Sequence, residues 1–209
     1  MKIVDEKHLV FIDVKSKSLY YYAKQVIDMV FSLCALIILS PLLLIAAVLI
    51  KADSQGSIFY QQERIGLDGK SFFILKFRTM KEDAEKDGPK WAYENDSRVT
   101  PVGHYLRKYR IDEIPQFINI LRGDMSLIGP RPERLVFIQA FEKELPEFCQ
   151  RLQVKPGITG WAQINGGYDL KPEEKLKLDL YYIYNFSLWL DLKIVIKSIP
   201  VILFAKGWR

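Results

Sequence analysis

Two adjacent carboxylates, Asp112 and Glu113, follow closely on three cations, Arg107, Lys108 and Arg110. Such a carboxylate has two uses. It can cap the start of a helix, contributing about 1 kcal/mol. It can instead be kept ionised by its cationic neighbours, and an ionised Asp can attack as a nucleophile or bind Mg2+. A helix start also offers free amides to a phosphate. Further on, Gly129-Pro130-Arg131-Pro132 encodes a rigid turn. Arg131 would project from it with little entropy left to lose, and a guanidinium meets phosphate oxygens through two parallel hydrogen bonds. A turn with a plain surface arginine reads the same way. Lys76-Phe77-Arg78 ends an apolar run, and alternation places Lys76 and Arg78 on one strand face. That pair suits a diphosphate and is also ordinary on a solvated strand. Neither a P-loop nor a Rossmann glycine signature is present.

These groups need elements to carry them. Ile58 to Gln62 and Phe72 to Phe77 read as two strands, with Gly66 and Asp68-Gly69 supplying the turn of a hairpin. Thr100-Pro101 is an N-cap followed by proline at N1, opening a helix to about Tyr109. A second helix is expected from Asp112 to a closing Gly123, with Pro115 tolerated in its first turn. Glu133 to Leu145 and Pro172 to about Tyr184 read as helices. The spacing predicts a polar loop over 81–96, a loop over 155–160 and a short extended piece over 161–165.

Met29 to Ile50 carries no charge. As a straight helix it would be about 33 Å long, one hydrocarbon core. Ser40-Pro41 interrupts it. Proline removes a backbone hydrogen bond and clashes with the carbonyl four residues back, that of Ile37, and the Ser40 hydroxyl can satisfy the broken backbone. A kinked spanning helix and a helix that bends back to the same membrane face both fit. Lysines and arginines flank the segment on both sides, which places both ends in the cytoplasm. At the C-terminus, Phe186 to Arg209 puts Lys193 and Lys197 on one helix face, adds Trp189, Leu190, Ile194, Val195 and Ile196 as apolar bulk, and ends in Lys206, Trp208 and Arg209. An interfacial helix and an ordinary core helix both fit.

The chain has 209 residues, 49% of them hydrophobic and 26% charged, so it can bury a core and is not disordered. A net charge of +5 favours anionic partners, but 25 acidic residues among 30 basic ones do not point to nucleic acid. Cys34 and Cys149 form no disulfide framework or metal pattern, which fits a reducing compartment. His8 and His104 are too few for a zinc site, and His104 reads as a helix surface residue.

Seven pieces in order resemble the bacterial sugar transferases, the monotopic phosphoglycosyl transferases. They are Ser40-Pro41, Gln62-Glu63-Arg64-Ile65-Gly66, Lys76-Phe77-Arg78-Thr79-Met80, Asp112-Glu113-Ile114-Pro115-Gln116, the run from Gly123-Asp124-Met125 to Pro130-Arg131-Pro132, Pro156-Gly157-Ile158-Thr159-Gly160-Trp161, and Asp179-Leu180-Tyr181-Tyr182. The resemblance covers Tyr22 to the C-terminus.

It implies an enzyme that moves a phospho-sugar from a UDP-sugar to polyprenol (undecaprenyl) phosphate, releasing UMP and starting a lipid-linked surface glycan. By resemblance, Asp112 is the nucleophile, forms a covalent phospho-sugar and contacts Mg2+, while Glu113 deprotonates or orients the lipid phosphate. Arg107 and Arg131, then Lys76 and Arg78, are the expected substrate-binding residues. The implied fold is α+β and mainly helical: an N-terminal arm (1–25), a re-entrant, Pro-kinked membrane helix (26–50) broken at Ser40 and Pro41, and a cytoplasmic catalytic domain (51–209) with a small β-hairpin and interfacial amphipathic helices. The implied place is the cytoplasmic face of the bacterial inner membrane, in contact with membrane lipid. The length matches the family's minimal catalytic unit, and the terminal segments leave room for a homodimer. Lys155 stands where relatives often carry arginine before Pro156. The competing expectation is a single-span membrane scaffold without catalysis.

Overall fold

The computed structural model describes residues 19–86, 88, 93, 96–167 and 170–203. The N-terminal arm up to residue 18 with His8, much of the polar loop before Asp96, and the terminal Lys206, Trp208 and Arg209 lie outside the described residues.

Helix α1 (Leu19–Asp53) contains the whole apolar segment and is longer at both ends than expected. It runs through Pro41. The Ser40 hydroxyl donates to the Ile37 carbonyl at 2.8 Å, the acceptor that Pro41 has no N–H to serve. Two stretches of α1 pack on the rest of the protein. Near its start, Lys24, Asp28 and Ser32 are buried. Lys24 pairs with Asp191 at 2.9 Å, and Asp28 accepts from the Ser126 hydroxyl at 2.6 Å. Near its end, Ala46 and Ile50 pack with Phe77 and Leu106. Between them Leu33, Ile37, Ile38, Leu44 and Ile45 are exposed.

Strands β1 (Phe59–Ile65) and β2 (Ser71–Phe77) form the antiparallel hairpin, with Phe59 opposite Phe77 and Ile65 opposite Ser71. Asp68 and Gly69 take left-handed backbone in the turn between them. Helix α2 (Pro101–Lys108) starts as expected, with the Thr100 hydroxyl accepting from the Gly103 amide at 3.0 Å, and His104 is exposed on it. Helix α3 (Gln116–Arg122) is closed by Gly123 at φ 85°.

Strands β3 (Ser126–Ile128) and β4 (Gly157–Thr159) pair in parallel, an element hidden by the expected loop over 155–160. A Cβ on Gly157 would lie 2.1 Å from the Gly129 nitrogen, so only glycine lets these backbones meet. Helix α4 (Leu135–Glu144) and a 3-10 segment at Phe148–Gln153 follow, burying Ile138, Phe148, Cys149 and Leu152 with Ile65 and Leu176. The piece at Trp161–Ile164, expected to be extended, is a single helical turn, α5. Helices α6 (Pro172–Tyr184) and α7 (Leu188–Leu203) complete the fold. Leu190 and Ile194 of α7 point into the core with Tyr182 and Phe186, while Trp189 and Ile196 are 81% and 66% exposed.

Candidate active site

Asp112 and Glu113 sit in a 3-10 turn (Ile111–Glu113) between α2 and α3. Arg110 adopts left-handed backbone, φ 57°, and makes the corner that separates the two helices. Neither carboxylate caps a helix: α3 begins after Pro115 without a side-chain cap. The capping reading of the dyad is therefore replaced by a buried pair, each residue 7% exposed.

The two acids have opposite environments. Glu113 Oε1 accepts from Lys76 Nζ at 2.9 Å and from Arg131 Nη2 at 2.5 Å. Burial alone would raise its pKa, but Arg131, Lys76 and Arg110 together hold it well below the usual carboxylate range. Asp112 Oδ1 is buried and has no hydrogen-bond partner. Burial, reinforced by the charge of Glu113, pushes Asp112 up to about 6 against the opposing pull of Lys76, Arg107 and Arg110. Its cationic neighbours were expected to lower it. Desolvation outweighs them, because none of these cations reaches Oδ1 as a hydrogen-bond donor. As a carboxylate Asp112 is thus poorly solvated, the condition of a reactive nucleophile.

Arg131 is delivered by the turn between β3 and α4, and every carbonyl from Pro130 to Pro132 is held by a distant donor. The Gly157 amide donates to the Pro130 carbonyl at 2.9 Å, Arg151 Nη2 to that of Arg131 at 2.8 Å, and Arg64 Nη1 to that of Pro132 at 3.0 Å. Arg151 is itself paired with Asp179 at 2.7 Å, and Glu133, near Arg64 at 3.7 Å, is paired with Lys175.

The bacterial sugar transferase family model matches residues 19–205. The chain belongs to the bacterial sugar transferase family. It is 46% identical over 194 residues to the UDP-N-acetylgalactosamine-undecaprenyl-phosphate N-acetylgalactosaminephosphotransferase of Aeromonas hydrophila, covering 91% of this chain and 46% of the relative. It is 41% identical over 183 residues to the UDP-glucose:undecaprenyl-phosphate glucose-1-phosphate transferase of Xanthomonas campestris pv. campestris (85% and 38%). Against the enzyme with the same name from Caulobacter vibrioides it is 43% identical over 187 residues (86% and 69%). The chain spans less than half the length of the first two relatives.

In this member of the family the expected site residues separate into two groups. Asp112, Glu113, Lys76 and Arg131 converge. Arg107 stands at the margin: its Nε donates to the Thr79 hydroxyl at 2.7 Å while its charge acts on Asp112. Arg78 is not brought to the dyad. It is buried and donates to the carbonyls of Ser54 and Gln55 just beyond α1, so it anchors the end of that helix, and the two-cation edge with Lys76 does not form. Ser40 and Pro41 lie in the middle of α1. Arg151 gave no sequence signal. Asp179 stood out as part of a motif, but only its buried pairing shows what it does.

Proposed function

We propose that the chain transfers a phospho-sugar from a UDP-sugar to a polyprenol phosphate and releases UMP, with Asp112 as the covalent nucleophile. The buried, unpartnered Oδ1 of Asp112 beside a cation-held Glu113 carries this reading. Oδ1 attacks the sugar-proximal phosphorus, forming an O–P bond as the bond to the UMP oxygen breaks. An oxygen of the polyprenol phosphate then attacks the same phosphorus, breaking the aspartyl bond and restoring the carboxylate. One difficult displacement becomes two easier ones. Glu113, its pKa held well below the ordinary range, is a poor general base. Its task is to fix Lys76 and Arg131, and those cations offset the charge of the phosphates.

Mg2+ fits this donor set. Among the described residues no three His, Cys, Asp or Glu side chains gather, and Mg2+ is commonly held by one or two carboxylates plus substrate phosphates. The Asp112 carboxylate would hold it together with substrate phosphates, and the ion would neutralise phosphate charge.

The packing of α1 supports a re-entrant membrane helix. Lys24, Asp28 and Ser32 before the apolar centre, and Ala46 and Ile50 after it, all bury against one folded body. A spanning helix would put these two stretches on opposite sides of a bilayer, which the single-span scaffold requires. The exposed Trp189 and Ile196 on α7, with Lys193 and Lys197 over the Trp161 ring at 5.2 and 5.5 Å, suit an interfacial helix beside it. The body would then face the cytoplasm at the inner membrane, at the height of the lipid phosphate.

The test is nucleotide release by the purified chain in detergent with Mg2+, undecaprenyl phosphate, and UDP-glucose or UDP-N-acetylgalactosamine. UMP from one donor, abolished in Asp112→Asn, is the expected result. UDP as product, or UMP at an unchanged rate from Asp112→Asn, overturns the mechanism.

A further inference from the structure

We infer that Gln116 is a substrate-contacting residue of this reaction, its side-chain amide donating to a phosphoryl oxygen of the phospho-sugar bound at Asp112. The inference rests on the role of Asp112 proposed above.

Gln116 is 1% exposed, and its Nε2 has no hydrogen-bond partner. A buried donor left unmade is costly and uncommon in folded proteins. Three residues on, Asn119 provides the contrast. It is equally buried, but its Oδ1 accepts from the Leu75 amide at 2.9 Å and its Nδ2 donates to the Phe73 carbonyl at 2.7 Å. Asn119 ties α3 to β2, whereas Nε2 of Gln116 ties nothing.

Gln116 opens α3 one turn beyond Asp112, whose Oδ1 is the other unpartnered atom here. The orphan donor and the orphan acceptor do not bond each other. A group that serves both must offer an electrophilic centre to the carboxylate and an acceptor oxygen to the amide. A phosphoryl group offers both. Two cations of the site, Lys76 and Arg131, share Glu113 Oε1. A neutral amide adds a fixed donor where charge gathers on the phosphoryl oxygens, without pulling the nucleophile into an ion pair. Its proton stays on nitrogen throughout, while the O–P bond to Asp112 forms and the bond to UMP breaks.

The experiment compares the wild-type chain with Gln116→Met, close in length but with no donor, and with Gln116→Glu, which keeps the shape and exchanges the donor for a carboxylate. UMP release gives kcat and KM for the UDP-sugar, and thermal melting in detergent reports the fold. For Gln116→Met we expect kcat to fall by about 10²-fold, as when one donor to a developing oxyanion is removed. KM should change little, and the melting temperature should hold or rise because an unsatisfied polar group has left the interior. Gln116→Glu should be at least as impaired in kcat. A wild-type kcat in either variant overturns the inference, and so does a kcat loss in Gln116→Met matched by a lower melting temperature, which marks a structural glutamine. If the wild type itself releases no UMP, the reading of Asp112 fails and this inference falls with it. If the wild type releases UMP and Gln116→Met equals it, only the inference fails.

Discussion

The buried pair Arg151–Asp179 should separate stability from activity. Both residues are nearly inaccessible, at 2% and 1% exposure. Burial pushes the Asp179 carboxyl upward even with Arg151 bonded to it, so the pair is a poor source of folding energy. Removing one partner is another matter. Arg151→Met strands Asp179 in the interior, at a cost of about 3–5 kcal/mol. At about 2–4 °C per kcal/mol for a domain of this size, the melting temperature should drop by about 6–20 °C. The double variant Arg151→Met/Asp179→Leu removes both charges and should recover most of that loss. It does not restore the hydrogen bond from Arg151 to the Arg131 carbonyl, so the turn that aims Arg131 at Glu113 loses one of its three ties. A misplacement of about 1 Å at such a group can reduce the rate by about 10²-fold. Melting in detergent and UMP release from the same preparations provide the readouts. A double variant that melts as low as the single one refutes the stranded-charge argument. One that releases UMP at the wild-type rate refutes the positioning argument.

Other outcomes follow from single contacts. Asp112→Asn should abolish UMP release with no loss of melting temperature at pH 7, because burial already disfavours the charged form. Lys175→Met removes the partner that does most to hold Glu133 below the ordinary range against the effect of burial. A depressed carboxylate stabilises the fold above its unfolded pKa. The gap in melting temperature between wild type and Lys175→Met should therefore be full at pH 7 and close as pH falls below about 4.3. Gly157→Ala drives a Cβ into the Gly129 backbone, so it should cost about 1–3 kcal/mol and lower UMP release as β3 and β4 part. Cysteines placed at Leu19 and Ser54 should both react with an impermeant label from the cytoplasmic face only; labelling from opposite faces would contradict the re-entrant helix.

Local chemistry made part of this molecule readable from its sequence. Thr100-Pro101 specifies a cap, Gly123 a left-handed stop, and the alternation around Gly66 and Asp68-Gly69 a hairpin, all within a few residues. Strands β3 and β4 have three residues each, too few for periodicity to register, and they pair only because glycines 129 and 157 allow contact across the fold. Trp161–Ile164 has too few residues to carry a helical pattern. The dyad and Arg131 were visible as residue types in motifs. Their pKa order was not, because burial is a tertiary quantity and here it overrides the nearby charges on Asp112. Arg78 misled for the same reason: strand alternation gives its side but not the helix end waiting there. Gln116 looks like any helix glutamine until its neighbours are in place.

The turn bearing Arg131 has a consequence for how the protein comes into being. Its two prolines lack amide N–H groups, and its carbonyls are tied to residues 64, 151 and 157, from two separated parts of the chain. Contacts so distant in sequence form late, after the loops between them have closed. On the ribosome, α1 and the dyad emerge well before Arg151, Gly157 and Asp179. The nascent chain can therefore meet the membrane while Glu113 still lacks its arginine, and the site closes only when its last third has been made. A chain truncated before Arg151 would carry the dyad and its cations but lack two of the three ties that hold the turn bearing Arg131.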